Sequence, residues 1–194
     1  MQSDFATYLQ LGFHHIADLK GYDHILFIIA LCAIYTLREW KRVAILVTAF
    51  TLGHSLTLAL AALNIVRLPQ NLIEFLIPVT IVLTALYNVF GAQRQEKQAI
   101  RLNYVLALVF GLIHGMGFSN FFRSLLMPDE QGQLVQQLLA FNIGVELGQL
   151  AIVAVILLIA YLALSMLRAP RREWTLFLSG GAFSLALVMA LERV

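Results

Sequence analysis

VAILVTAFTLGHSLTLALAAL, from Val43 to Leu63, is apolar for the length of a membrane crossing and holds one imidazole, His54, inside it. About twenty predominantly apolar residues, rising 1.5 Å each as a helix, cover a hydrocarbon core of about 30 Å. The stretch therefore predicts a transmembrane helix. An ionisable side chain in lipid is costly and needs a reason to be there. Thr51, His54 and Ser55 fall three and four apart and share one helix face, where hydroxyls can orient the ring.

Five further segments of comparable character surround this one, at about 22–38, 71–91, 101–121, 137–167 and 173–191. The segment at 137–167, fifth of the six in chain order, has no proline from Leu134 to Ala169, so it is long enough to tilt strongly or to project beyond the bilayer. Ahead of them, Phe5, Tyr8, Leu9, Gly12, Phe13 and Ile16 recur at helical spacing and predict an amphipathic helix within residues 1–20, lying at the interface, which Gly21 breaks. The expected fold is all-α: one polytopic integral membrane domain over residues 1–194, with six transmembrane helices and an N-terminal interfacial helix.

Composition agrees. Sixty per cent of the 194 residues are hydrophobic and only 12% charged, with mean hydropathy +0.83, far from the balance of a soluble domain. The net charge of +2 comes from basic residues clustered in short loops, which speaks for topology and excludes a nucleic-acid partner. Cys32 stands alone, excluding an internal disulfide and a cysteine-rich metal site. The first twenty residues carry Asp4 and Asp18 and lack a basic start, so they do not read as a cleaved signal peptide.

Loop charge sets an expected orientation, because Arg and Lys stay on the cytoplasmic side. Arg38, Lys41 and Arg42, then Arg94, Lys97 and Arg101, then Arg168, Arg171 and Arg172 follow the odd-numbered spans. The opposite loops hold only Arg67, or Arg123 offset by Asp129 and Glu130. Both termini are expected outside, with a bacterial inner membrane as the location. On this topology Asp23 and His24 stand at the outer mouth of span one and Glu74 at the outer start of span three. His54, His114 and Glu146 lie about eleven, thirteen and nine residues along their spans, in the outer half. A single site open to the outside is expected.

The donors suggest its chemistry. Span four reads Phe110-Gly111-Leu-Ile-His114-Gly115-Met-Gly117-Phe118, with glycines that let another helix approach the histidine closely. Span five puts Asn142, Glu146 and Gln149 on one stripe. Imidazoles with carboxylates suit nickel, zinc, cobalt, iron or Cu(II). The candidate ligands are His24, His54, His114 and Glu146, assisted by Asp23 and His15, with Ser55, Thr51, Asn142, Gln149, Glu74 and Asn88 as supporting or pathway residues. Plainer roles compete: Asp23 as a helix cap, His14 and His15 as interfacial polarity, Glu74 at a wet interface, and Thr80, Thr84 and Asn88 as interhelical hydrogen-bonding groups. The expected partners are membrane lipid and a metal ion, and assembly with further copies is left open.

Together, Gly12-Phe-His14-His15-Ile16, Gly21-Tyr-Asp23-His24, Thr48-Ala-Phe-Thr51-Leu-Gly-His54-Ser55-Leu-Thr57, Phe110-Gly-Leu-Ile-His114-Gly-Met-Gly117-Phe118 and Phe141-Asn142-Ile-Gly144-Val-Glu146-Leu-Gly148-Gln149 resemble the HupE/UreJ family over most of the chain. The resemblance implies a hydrogenase- or urease-accessory membrane protein of the nickel or cobalt permease type. That family's better-described members carry a histidine, followed by proline, where Ala17 stands here, while Gly21, Asp23 and His24 reproduce the rest of the motif. The chain is therefore similar to a shorter branch.

The leading expectation is a secondary permease for a divalent transition metal, nickel first, with no Gly-x4-Gly-Lys-[Ser/Thr] loop for ATP. The alternative is an intramembrane metalloenzyme holding zinc or iron, with Glu146 as base on a lipid or embedded ester. A metal sensor or assembly factor is the third. A permease needs a polar route inward from the site, for which the sequence offers only Thr84 and Asn88.

Overall fold

The computed structural model describes residues 4–90, 96–125 and 134–193, without side chains at Asp4, 96–102 and 119–125. Arg94, Asp129 and Glu130, used above for topology, lie outside the described residues, as do the side chains of Lys97, Arg101 and Arg123. The described chain is helical: α1 Asp4–Ile16, α2 Asp23–Cys32, α3 Trp40–Ala62, α4 Gln70–Phe90, α5 Glu96–Leu125, α6 Leu134–Tyr161 and α7 Arg171–Leu191. A 3-10 turn, Leu37–Glu39, precedes α3, and a π-helical turn, Leu162–Met166, prolongs α6. Four helical stretches are long and apolar enough to cross a membrane: Leu37–Ala62, Gln70–Phe90, Leu134–Met166 and Arg171–Leu191. Asp23–Cys32 and Asn103–Phe118 are shorter apolar helices.

Local chemistry sets the boundaries. Asn64 takes φ 60° just past α3. Ile65 N–H donates to Leu60 O at 2.9 Å and Asn64 N–H to Ala61 O at 3.0 Å, the paired bonds that close a helix on a left-handed residue. Pro69 and Pro170 precede α4 and α7, and their carbonyls accept the first helical bonds, from Ile73 and Trp174. Pro78 lies inside α4 and has no N–H to give to the carbonyl of Glu74. Arg193 Nη1 donates to that carbonyl instead, at 2.7 Å.

Glycines fix which helices touch. A Cβ on Gly111 would run into the Phe50 carbonyl, and one on Gly115 into the carbonyl of His54 and the hydroxyl of Thr57. These contacts run in step along both chains, so α3 and α5 are parallel neighbours at backbone contact. The same holds for α1 and α6, where Gly12 abuts the Phe141 carbonyl, Gly144 the Leu9 carbonyl and Gly148 Phe13 and Ile16. Without a hydrophobic drive between helices in lipid, such small-residue contacts are a principal source of association.

This packing changes the reading of the N-terminal region. The stripe through Gly12 and Ile16 is buried against α6, so the apolar face of α1 is covered by a neighbouring helix. The segment expected as a span over 22–38 is helical only from Asp23 to Cys32, about 15 Å at 1.5 Å per residue. That is half a hydrocarbon core. Asn88 Nδ2 bonds Ala30 O at 2.7 Å beside the last turn of α4, and Thr175 Oγ1 bonds Ala33 O at 3.0 Å beside the first turn of α7. α2 thus occupies the half of the bundle nearer Arg38, Arg171 and Arg172, called here the basic end. α1 and α2 both run toward that end, one after the other, separated by residues 17–22.

Candidate metal centre

The break between α1 and α2 brings histidines from separate elements to one place. His15 ends α1 and His24 begins α2, with ring centroids 4.7 Å apart. His54 of α3 lies 5.9 Å from His15 and 6.2 Å from His24, and His114 of α5 lies 5.1 Å from His24. One ring nitrogen from each of His15, His24 and His54 can be chosen so that all three lie within 4.8 Å of one another. His24, His54 and His114 are buried, and His15 is half-buried.

The nitrogens are also idle. His15 Nε2, His24 Nε2, His114 Nδ1 and at least one nitrogen of His54 are buried without a hydrogen-bond partner. A buried polar atom left unpaired costs about 1–3 kcal/mol, so several of them turned toward one another ask for a shared partner. The amide of Asn142 interacts with the ring of His54, while its Nδ2 also donates to Leu138 O at 2.8 Å. The partnered nitrogens orient the rings: His114 Nε2 lies 3.2 Å from Thr80 Oγ1, and His24 Nδ1 lies 3.0 Å from Asp23 Oδ1. Asp23 also accepts from the backbone N–H of His24 at 2.9 Å. An oriented second nitrogen is what fixes the tautomer of a metal-binding histidine.

Aromatic rings enclose the group. Phe118 lies 3.8 Å from His15 between centroids, Phe27 lies 5.6 Å from His114, Phe50 lies 5.2 Å from His114, and Phe141 stacks toward His54 at 6.4 Å. On the side of His15, a cleft of about 740 Å³ is lined by His14, His15, Ala17, Asp18 and Phe118. It meets the cluster at His15, at the break between α1 and α2.

Not every expected residue joins the cluster. Glu146 sits on α6 against α3, accepting from Thr48 Oγ1 at 2.6 Å and from Thr51 Oγ1, which also lies 2.7 Å from Gln149 Oε1. These residues form a second polar group, one turn or more nearer the basic end than His54. Glu74 accepts from Gln70 Nε2 at 2.9 Å near the start of α4. Asn88 bonds Ala30 O and Ser179 Oγ near the end of α4. Ser55 is half-buried next to His54 in α3, and His14 is exposed. Nor is His24 at the mouth of a full-length span: through His114 and Thr80 it lies level with the middle of α4.

Sequence reasoning passed over two contributors. Thr80 reads as interhelical glue yet is the partner of His114, and Thr48 reads as part of a motif yet holds Glu146. The aromatic wall was detectable in part, since Phe50 and Phe118 each stand one helical turn from a histidine, at His54 and His114.

Fold and centre together define a helical bundle, membrane-crossing by the length and apolarity of four of its helices, with a ring of imidazoles in its interior. The chain belongs to the HupE / UreJ protein family, whose model matches residues 1–192. No curated protein and no solved structure matches it.

Proposed function

We propose that the protein is a membrane permease for a divalent transition-metal ion, nickel first, which binds His15, His24, His54 and His114 on its way across. The observation that carries this reading is the set of imidazole nitrogens from α1, α2 and α3 that lie within 4.8 Å of one another, with the ring of His114 from α5 beside His24 at 5.1 Å between centroids. Metal–nitrogen bonds of about 2.0–2.1 Å in a tetrahedral site put ligand nitrogens about 3.4 Å apart. Three nitrogens already within 4.8 Å need only a small inward movement of the rings. An all-imidazole set suits nickel, cobalt, zinc or copper better than calcium or magnesium, and the resemblance to nickel and cobalt permeases favours nickel. Asp23 fixes His24 and supplies negative charge beside the ion.

Carriage is favoured over hydrolysis by the placement of Glu146. Its carboxylate is engaged by Thr48 and Thr51 on α3, a turn or more from His54, so the base required by an intramembrane hydrolase is not supplied from α6. On the orientation derived from loop charge, the cleft at His14 and His15 opens toward the outside and the basic end faces the cytoplasm. Both termini then lie outside, in the bacterial inner membrane. No ATP-binding loop is needed, because protons and metal compete for the same ring nitrogens and a gradient of either can drive the other.

Uptake of nickel into proteoliposomes, measured for the native chain and for His54→Ala and His114→Ala singly, tests the proposal. Loss of uptake in both variants is expected. Unchanged uptake in both would overturn it.

A further inference from the structure

The route by which an ion would leave the histidines is the part the sequence leaves faintest, and it rests on the permease reading above. Two polar groups lie on the basic-end side of the cluster. One is Glu146 with Thr48, Thr51 and Gln149 between α3 and α6, where Gln149 is fully buried. The other descends α4 from His114: Thr80 touches the ring, Thr84 Oγ1 donates to Thr80 O at 2.9 Å, and Asn88 follows one turn on. The second leads to space. A void of about 20 Å³ touches Thr84 and Asn88. It adjoins a cavity of about 630 Å³ whose wall includes Asn88, Asn103 and Arg171, and the two share Ile34, Tyr87, Asn88 and Asn103.

Between the void and the histidines stand two rings. Phe27 of α2 and Phe110 of α5 meet edge to face at 5.9 Å, both line the void, and Phe27 lies 5.6 Å from His114 on its other side. A divalent ion cannot cross such a layer without shedding its polar partners. The closed rings therefore separate the site from the cavity. We infer that the ion leaves along α4 into the cavity at the basic end, with Phe27 as the gate that must swing aside. Phe27 is placed for this: it stands one turn into the short α2, directly after the break that also positions His24.

The test uses single cysteines in the full chain with Cys32→Ala, in membrane vesicles of known sidedness, and a charged, membrane-impermeant thiol reagent. Asn88→Cys is expected to react from the basic face alone. Thr84→Cys, on the near side of the rings, is expected to react from that face as well, whereas Thr80→Cys, beside His114 on their far side, is expected to react slowly and about tenfold faster when Phe27→Ala is added, the change produced by a shift of about 1.4 kcal/mol in gate opening. Phe110→Leu serves as a second opening variant should Phe27→Ala fail to fold. The route is overturned if Thr80→Cys is no more reactive from the basic face in the opened variants than in the closed protein, or if Gln149→Cys reacts there instead. Nickel titration of the same proteins separates the two ideas: native protein that binds no metal ends the permease reading, while the labelling pattern still decides the route.

Discussion

Thr80 Oγ1 lies 3.2 Å from His114 Nε2, joining the midpoint of α4 to the histidine of α5. The contact fixes the level of the whole cluster, because His24 packs on the other side of the same ring. It also leaves His114 Nδ1 as the nitrogen without a partner.

Removing that hydroxyl should therefore weaken metal binding without removing a ligand. Second-layer partners of metal-binding histidines typically contribute 10–100-fold in affinity. Thr80→Val is expected to lose about that much by nickel titration calorimetry and Thr80→Ser almost none. Equal affinity in Thr80→Val and native protein would show that the contact does not orient the ring.

Glu146 should behave differently from the histidines. Its oxygens are occupied by Thr48 and Thr51. Glu146→Gln is expected to leave nickel affinity within about threefold, whereas His54→Ala should lower it by about a hundredfold or more, as loss of a ligand exceeds loss of a second-layer partner. A Glu146→Gln protein as impaired as His54→Ala would place the carboxylate on the metal.

The glycines give a graded stability test. Gly111→Ala forces a methyl into the Phe50 carbonyl, a backbone atom that cannot swing away. Overpacking of this kind costs about 1–3 kcal/mol, and Gly144→Ala against the Leu9 carbonyl should cost a similar amount. Gly180 has nothing within 4 Å of the added methyl, so Gly180→Ala is expected to be neutral or slightly stabilising. Thermal unfolding in detergent reads the order, and a Gly180→Ala protein less stable than Gly111→Ala would contradict the packing.

Pro78 and Arg193 should be energetically coupled. Arg193 donates to the Glu74 carbonyl that Pro78 leaves without a helical donor. Hydrogen bonds to charged groups contribute about 1.5–3 kcal/mol, so Arg193→Ala is expected to lower stability by up to about that amount. In the Pro78→Ala background the backbone N–H of residue 78 returns and the loss should shrink. A double-mutant cycle by unfolding measures this, and additive effects would show the two residues to be independent.

Much of this was legible in the chain. The apolar runs over 43–63, 71–91 and 173–191 correspond to α3, α4 and α7 within a few residues, and the long fifth run to α6 with its π-helical extension. His24, His54 and His114 stood out because imidazoles inside such runs are costly. The first run was misleading, since hydropathy continues through Ile34 and Tyr35 where the backbone does not remain helical. The amphipathic pattern of α1 was real, but periodicity shows that a face is buried without showing what covers it.

Hydropathy, loop charge and the isolated histidines are sums over neighbouring residues, so the sequence by itself determined that this is a helical, membrane-crossing type of chain with polar groups held inside it. Which of those groups meet depends on how helices far apart in sequence approach one another. The glycine contacts of α1 with α6 and of α3 with α5 set those approaches. The break after Ile16 then turns His15 and His24 toward a common point. Tertiary packing alone decided that four imidazoles would share one enclosure while Glu146, on an equally polar stripe, would face the threonines of α3.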